Sequence, residues 1–376
     1  MSRNKKISVY IRNKETPSSY YRIIQYLKKI ELDKSNIYIR EIAPDMIYKK
    51  RLNSNNSNFF KKYLIGIIYY LTMVVRLLYY LLIDNIDKPD YVIVSKTFCP
   101  GYTPLLIRIL LRRVADNTIL YWDFDDNIFI SNEISKAQAN ILKEKSKKII
   151  VTHEYLKSKI DKKYHDKVIL LPTTDGDLQG FDERILISRR KELLEKQIRL
   201  IWVGTSVNLF NLYKIIHVLD RTAENLKKVC DKSLVLTIVC NKPLEAKVNH
   251  LIIRNILWNR DIAKYEIYNA HIGIMPLILN EYSLGKGGFK LIQYISTGLP
   301  VIASNVGFNK EIVDTSCGIL VDDEVCADKW EDAIIKITYS LDVWEKYSIG
   351  AYKRWKKLFS FEHNLNVWKH LLDIRG

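Results

Sequence analysis

The chain has 376 residues, 48% of them hydrophobic, enough for two packed cores; this excludes a disordered or fibrous protein. Its formal net charge is +17 and uneven: residues 1–190 hold 34 Lys/Arg against 21 Asp/Glu, and residues 191–376 hold 25 against 21, so the first half prefers a polyanionic neighbour. Five scattered cysteines (99, 230, 240, 317 and 326), with no CxxC and no Cys/His cluster, exclude a zinc site and read as free thiols of a reducing compartment. A composition rich in Lys, Asn and Ile accounts for the total charge as well as a ligand does, though less well for the asymmetry. The first residues have no apolar core of the signal-peptide kind, so a cytoplasmic location is expected.

Strand-like and helix-like runs alternate along the chain. KISVYI (6–11) reads as a strand, and SSYYRIIQYLKKI (18–30) as a helix with Tyr20, Ile23, Ile24 and Leu27 on one face. NSNNSN (53–58) is a polar loop. DYVIV (90–94) and TILYWDF (118–124) are strands, with a helix at 104–113 between them; strand, helix and strand follow at 147–152, 154–160 and 167–172. This alternation predicts βαβ units and a parallel sheet. Residues 173–197 are polar and turn-rich, which puts a domain boundary near 190. A second series follows: strand 198–204, helix 209–228, strands 234–240 and 251–258, helix 261–270 and strand 272–277. The expected architecture is therefore α/β, with two Rossmann-like doubly wound domains, 1–190 and 191–350, facing a central cleft. Residues 351–376 would form an amphipathic C-terminal helix.

GKGGFKLIQYISTGLPVIAS (285–304) carries the most chemistry. Three glycines allow close backbone approach, and the start of the following helix presents free N–H groups to an anion. Lys286, Lys290 and Gln293 are spaced by four and three, which puts two ammonium groups and an amide on one helix face. Gly298 and Pro300 stop the helix. The pattern fits a diphosphate-and-ribose holder. It also fits a solvated helix face after an ordinary glycine loop.

FKLIQYISTGLPVIASNVGFNKEIV (289–313), with Gly298, Pro300, Gly307 and Glu311, resembles the nucleotide-sugar signature of retaining GT-B glycosyltransferases of the group 1 type. The likeness extends through SCGILVDD (316–323), IRLIWVGTSVNLFNL (198–212) and AHIGIMPL (270–277), where His271 replaces the usual Asp. The resemblance implies the GT-B fold, with a last helix crossing back to the N-terminal domain. It also implies a UDP-, GDP- or dTDP-sugar donor held by Gly204, Thr205, Lys286, Gly287, Gly288, Lys290 and Gln293, with Lys290 as the diphosphate ligand. The family usually carries two glutamates here, and their places fall at Gly285 and Gln293; Glu281 is off register.

YWDFDDNIF (121–129) sets Asp123, Asp125 and Asp126 after a strand. Clustered carboxylates can orient or deprotonate an acceptor hydroxyl, because burial and mutual repulsion raise one pKa, and a polysaccharide-related subset of the family carries a similar run. The same three residues also fit a capping and turn cluster. Asp123 and Asp125 form a D-x-D, the metal motif of the other glycosyltransferase fold, but lysines and a helix start already supply positive charge, so no metal or cofactor is expected. PSSYYRIIQYL (17–27) either meets the substrates through its serines and Arg22 or is a helix capped by Ser18 or Ser19.

The favoured function is retaining transfer of a sugar to a lipid-linked or glycan acceptor, in bacterial surface polysaccharide assembly. Rivals are a nucleotide-sugar 2-epimerase-like enzyme and a non-catalytic basic protein that binds membrane or nucleic acid; no RNA-binding aromatic signature is visible, so nucleic acid is not expected. Finally, KKYLIGIIYYLTMVVRLLYYLLI (61–83) has no charge from Tyr63 to Val75, where Arg76 interrupts it, a stretch of about 20 Å as helix, short of a ~30 Å hydrocarbon core. With the nine lysines of 143–167, it predicts peripheral contact with an anionic membrane surface. A buried core helix is the other possibility.

Overall fold

The computed structural model describes residues 5–30, 36–54, 58–130, 133–322 and 328–374. Cys326, residues 55–57 of the asparagine-rich patch and residue 323 of the 316–323 segment lie outside the described residues. The chain forms two compact units, Met1–Thr173 with Glu362–Gly376, and Thr174–Phe361.

The first unit is built on a parallel sheet ordered β2-β1-β3-β4-β5-β6. Its strands are β1 Ile7–Ile11, β2 Ile37–Glu41, β3 Tyr91–Ser95, β4 Ile119–Phe124, β5 Lys148–Val151 and β6 Val168–Leu170. β1 pairs with β2 on one side and β3 on the other, so strand order reverses between β1 and β3. Strands buried on both faces need near-continuous apolar runs, which β3 supplies from Tyr91 to Val94 and β1 supplies apart from Ser8. Helices Phe59–Asp87 and Leu105–Asn117 cover one face through Met73, Leu77, Leu81, Ile107 and Leu111.

The second unit repeats the plan in the order β12-β11-β10-β7-β8-β9. Its strands are β7 Gln197–Val203, β8 Ser233–Cys240, β9 Ile252–Leu257, β10 Ile272–Met275, β11 Val301–Ser304 and β12 Gly318–Val321. Here the order reverses between β7 and β10, which pair directly through Ile272↔Leu200. Ligands of doubly wound sheets sit beyond the strand C-termini at such a reversal.

Three local outcomes differ from the sequence expectations. The first unit gives way to the second at Thr173, not near 190. The cause is a helix, Glu183–Leu194, capped by the Asp182 carboxylate, which carries Arg190 and Leu194 into the second unit's interior. At the C-terminus, helix Leu341–Leu358 also belongs to the second unit, with Ala351 and Trp355 in its core, and the return to the first begins at Glu362. There Asn364 Nδ2 donates to Pro172 O (2.7 Å), and Tyr121 donates its hydroxyl to Leu371 O (2.5 Å). The apolar stretch near 61–83 is part of a 29-residue helix, Phe59–Asp87, about 43 Å long. Arg76 does not interrupt it, because its Nε donates to Glu41 O at 3.0 Å and its guanidinium lies over the Tyr80 ring.

Candidate functional site

In the second unit, β7 ends at Val203 and Gly204 follows. A Cβ on Gly204 would lie 2.4 Å from the Trp202 ring, so no side chain fits there. Thr205 opens the turn Ser206–Asn208; its Oγ1 accepts from Asn208 Nδ2 (2.9 Å), and the Ser206 N–H donates to Asn241 Oδ1 (2.8 Å). Beyond β10, a short turn of helix, Glu281–Leu284, leads through Gly285–Gly288 into helix Phe289–Ser296. Gly288 has φ +60°, and a Cβ there would lie 2.1 Å from Ile312, so the last loop position tolerates only glycine. Gly288, the N-cap residue, has no side chain with which to cap this helix, and the backbone N–H groups and helix dipole of its first turn favour an anion.

Helix Phe289–Ser296 is fixed at both ends. The Tyr294 ring lies against Gly273 of β10, and its hydroxyl accepts the Val203 N–H at 2.9 Å. At the C-terminus Gly298 takes φ +65°; its N–H reaches Ile295 O (3.0 Å), and Leu299 N–H reaches Tyr294 O (3.1 Å), the pairing that closes a helix on a left-handed glycine. Arg190, fully buried, donates to Ile267 O, Tyr268 O and Thr297 O at 2.8–3.2 Å. It thereby satisfies the C-terminal carbonyls of two helices with a cation, and burial brings it down to about 9.

On this helix Lys290 and Gln293 share a face, and the Lys290 ammonium donates to Gln293 Oε1 at 3.0 Å. Gln293 Nε2 in turn donates to Asp175 Oδ2 at 2.5 Å. Burial draws Lys290 down to about 8, with Asp175 opposing, and burial pushes the Asp175 carboxyl up. Lys286 is not on that face. The helix starts only at Phe289, and Lys286 lies in the loop with its ammonium 4.0 Å over the Tyr282 ring and 2.6 Å from the Tyr282 hydroxyl. Gly287 is buried between them in the loop.

In the first unit, the C-terminal ends of β1, β3 and β4 gather a compact charged cluster. Asp123 lies within β4, not on the loop beyond it, and is 1% exposed; Arg22, 2% exposed, holds it through Nη2 (2.5 Å) and Nε (3.1 and 3.2 Å). Arg22 sits in a π-helical turn, Tyr20–Ile24, and also donates to Leu171 O. Burial pushes the Asp123 carboxyl up while Arg22 pulls it back. Asp125 and Asp126 lie beyond the strand and share Lys96 at 2.9 and 2.7 Å; Ser18 Oγ donates to Asp125 Oδ2 at 2.9 Å. Lys96 follows β3 at the strand-order reversal with φ +58°, a strained backbone for a residue with a Cβ. Burial opposes its charge and the two aspartates outweigh that, so its pKa is raised.

The expected repulsion among the carboxylates is therefore largely offset: Arg22 balances Asp123, while Asp125 and Asp126 share the one ammonium of Lys96. The D-x-D oxygens turn to separate cations and do not converge on one point. Ser18 is not a helix cap; Thr16 occupies that position, and Ser18 serves Asp125. Sequence reasoning missed Lys96, Asp175 and Tyr294. Lys96 had one available signal, its place directly after a strand, whereas Asp175 reads only as a turn residue.

Residues 187–339 match the family model described as Glycosyl transferases group 1. No curated protein matches the chain in sequence. Among solved structures, Anabaena HepE, in complex with UDP and glucose, aligns with a TM-score of 0.65 at 10% identity over 98% of this chain and 99% of that one. Sucrose-phosphate synthase from Thermosynechococcus elongatus aligns with a TM-score of 0.59 at 12% identity over 98% of both chains. A variant of S. aureus TarM, in complex with fondaparinux, alpha-GlcNAc-glycerol and UDP, aligns with a TM-score of 0.55 at 15% identity over 80% of this chain and 59% of that one. The fold is GT-B, and residues 187–339 are similar to the group 1 glycosyltransferases whose model they match.

Proposed function

We propose that the protein transfers a sugar from a nucleotide-sugar donor to a lipid-linked or glycan acceptor, with retention of configuration and without a metal ion. The observation that carries this is the placing, at the β7/β10 reversal, of a side-chain-free approach at Gly204, a glycine loop, a helix that starts on glycine and the Lys290 ammonium. These are the elements that bind and stabilise a diphosphate leaving group. The neighbours HepE and TarM, both in complex with UDP, support the reading. In the retaining step the acceptor oxygen attacks the anomeric carbon on the face the diphosphate leaves. The C–O bond to the diphosphate breaks, its electrons go to the diphosphate, and the hydroxyl proton passes to a diphosphate oxygen. The first unit takes the acceptor near Asp125, Asp126 and Lys96. Hydrolysis and calorimetry across UDP-, GDP- and dTDP-sugars test the donor side. Epimerised product from donor alone would favour an epimerase-like enzyme, and absence of any nucleotide-sugar binding would refute both.

The acceptor is lipid-linked on this reading, as suits assembly of a bacterial surface polysaccharide, and the protein works peripherally on the cytoplasmic face of the membrane. Helix Phe59–Asp87 supports this. Tyr69, Met73, Leu77 and Leu81 face the core, while Tyr63, Leu71, Val75, Tyr79 and Ile86 are each more than half exposed. Exposed Tyr102, Leu105 and Leu106 extend that apolar surface, and Tyr70 ties the two segments through its hydroxyl bond to Tyr102 O (2.8 Å). By length and composition the helix is able to cross a bilayer. Its inner face argues for lying flat: buried Asp84 accepts from Ser8 (2.5 Å), Tyr10 (2.7 Å) and Arg40 (2.6 Å), contacts that spanning would break. Exposed Lys61 and Lys62 begin the helix, and Lys145, Lys147, Lys148 and Lys167 line a groove of about 440 Å³ beside Ser146; both suit anionic headgroups.

A further inference from the structure

We propose that Asp175 is a positioning residue of the donor site: by taking the Gln293 amide N–H, its buried carboxylate aims the Gln293 carbonyl oxygen at Lys290 and holds the ammonium where a diphosphate arrives. The inference rests on the donor reading above.

Hydrogen-bond inventory fixes the order of the three groups. A carboxylate only accepts and an ammonium only donates. An amide lying between them therefore satisfies both in one orientation, with Nε2 toward Asp175 and Oε1 toward Lys290, whichever way its ends are first assigned. The observed 2.5 and 3.0 Å contacts are that orientation. Replacing the carboxylate by a group that both donates and accepts would leave the amide free to turn, and Lys290 would lose its acceptor.

Asp175 is itself held. It is 2% exposed, and its Oδ1 accepts the Asp177 N–H at 2.8 Å. A Cβ on neighbouring Gly176 would lie 2.6 Å from the Phe361 ring, and Trp355 Nε1 donates to Thr174 Oγ1 at 3.4 Å. Leu178 is buried in the same core as Leu291 and Ile292 of the donor-side helix. A fold gains little from burying a carboxylate that an apolar side chain could replace. Placed here, however, it also supplies charge. Among the described residues Asp175 is the charged group that acts on Lys290, keeping it protonated against burial; Asp177 acts on Asp175, and Asp175 and Arg190 act in opposite senses on Tyr268. The sign follows: Lys290 holds its proton below about pH 8 and loses it above. Diphosphate affinity should thus fall as pH rises through that value, and earlier without Asp175.

The test compares the wild type with Asp175→Asn, Gln293→Glu, the double variant, and Gln293→Leu, which cuts the chain at its middle if Asp175→Asn fails to fold. One readout is the titration of Lys290, followed by ¹³C NMR of its ε-carbon without donor and assigned by its absence in Lys290→Arg. The other is calorimetric affinity from pH 6 to 9 for the tightest of UDP-, GDP- and dTDP-glucose. Expected are a downward shift of the Lys290 titration by about one unit and about tenfold weaker donor binding near pH 8 in Asp175→Asn and Gln293→Leu. Gln293→Glu alone sets two carboxylates against each other and is impaired; the double variant returns one carboxylate beside Lys290 and recovers. An unmoved titration in Asp175→Asn and Gln293→Leu, or a double variant no better than Asp175→Asn, overturns the inference. If the titration moves as expected but the wild type binds no nucleotide sugar, the donor reading fails and the positioning of Lys290 by Asp175 stands.

Discussion

The Tyr294 hydroxyl accepts the Val203 N–H at 2.9 Å while its ring lies against Gly273, so one side chain docks the donor-side helix on two neighbouring strands. Tyr294→Phe leaves a buried N–H unpaired, a loss of about 1–3 kcal/mol. Gly273→Ala drives a Cβ to 2.3 Å from the ring and costs about as much by overpacking. Thermal unfolding should show either change as a lower Tm of the second unit, and an unchanged Tm in both would refute this docking role.

Lys290→Ala should weaken nucleotide-sugar binding by one to two orders of magnitude, since a hydrogen bond to a charged group is worth about 1.5–3 kcal/mol. Calorimetry on a folded variant measures it; wild-type affinity and turnover would remove Lys290 from the diphosphate site.

Asp126→Asn should abolish transfer and leave donor affinity nearly unchanged. Lys96→Ala should do the same, because it strips Asp125 and Asp126 of the cation they share. Turnover and donor affinity measured side by side separate the two effects. Loss of turnover on chelation, reversed by Mn²⁺, would make the aspartates metal ligands instead.

Flotation with liposomes tests the membrane surface. Binding should require anionic lipid, weaken in high salt, and fall when Lys61, Lys62 and several lysines of 143–167 become Glu. Equal binding to neutral vesicles, or none, contradicts the proposal; release only by detergent would mean insertion.

His271 is fully buried beside Trp344; its Nδ1 accepts the Arg199 N–H at 2.9 Å, and burial holds it down at about 3. A pKa lowered on folding means the unfolded chain binds the proton first as pH falls below about 6.5. Stability should therefore drop between pH 6.5 and 3 by up to about 1.4 kcal/mol per unit on this account. His271→Gln, which keeps an acceptor but does not titrate there, should show a shallower slope by urea unfolding; parallel slopes would exclude the mechanism.

The amino-acid sequence alone determined the two parallel sheets, the glycine loop and the helix carrying Lys290 and Gln293. These rest on period, glycine placement and helix stops, which act within a few residues. It did not determine the partners of those groups. Lys96 and Asp126 lie in different loops, Arg22 meets Asp123 from a π-helical turn, and Asp175 meets Gln293 from a stretch that reads only as a turn. Such pairings depend on which strands become neighbours and on where burial removes water, and both are settled by the packed sheet. The same holds for Arg76 and Asp84: as letters they interrupt an apolar run, and only tertiary packing turns them inward and leaves a continuous apolar face outside.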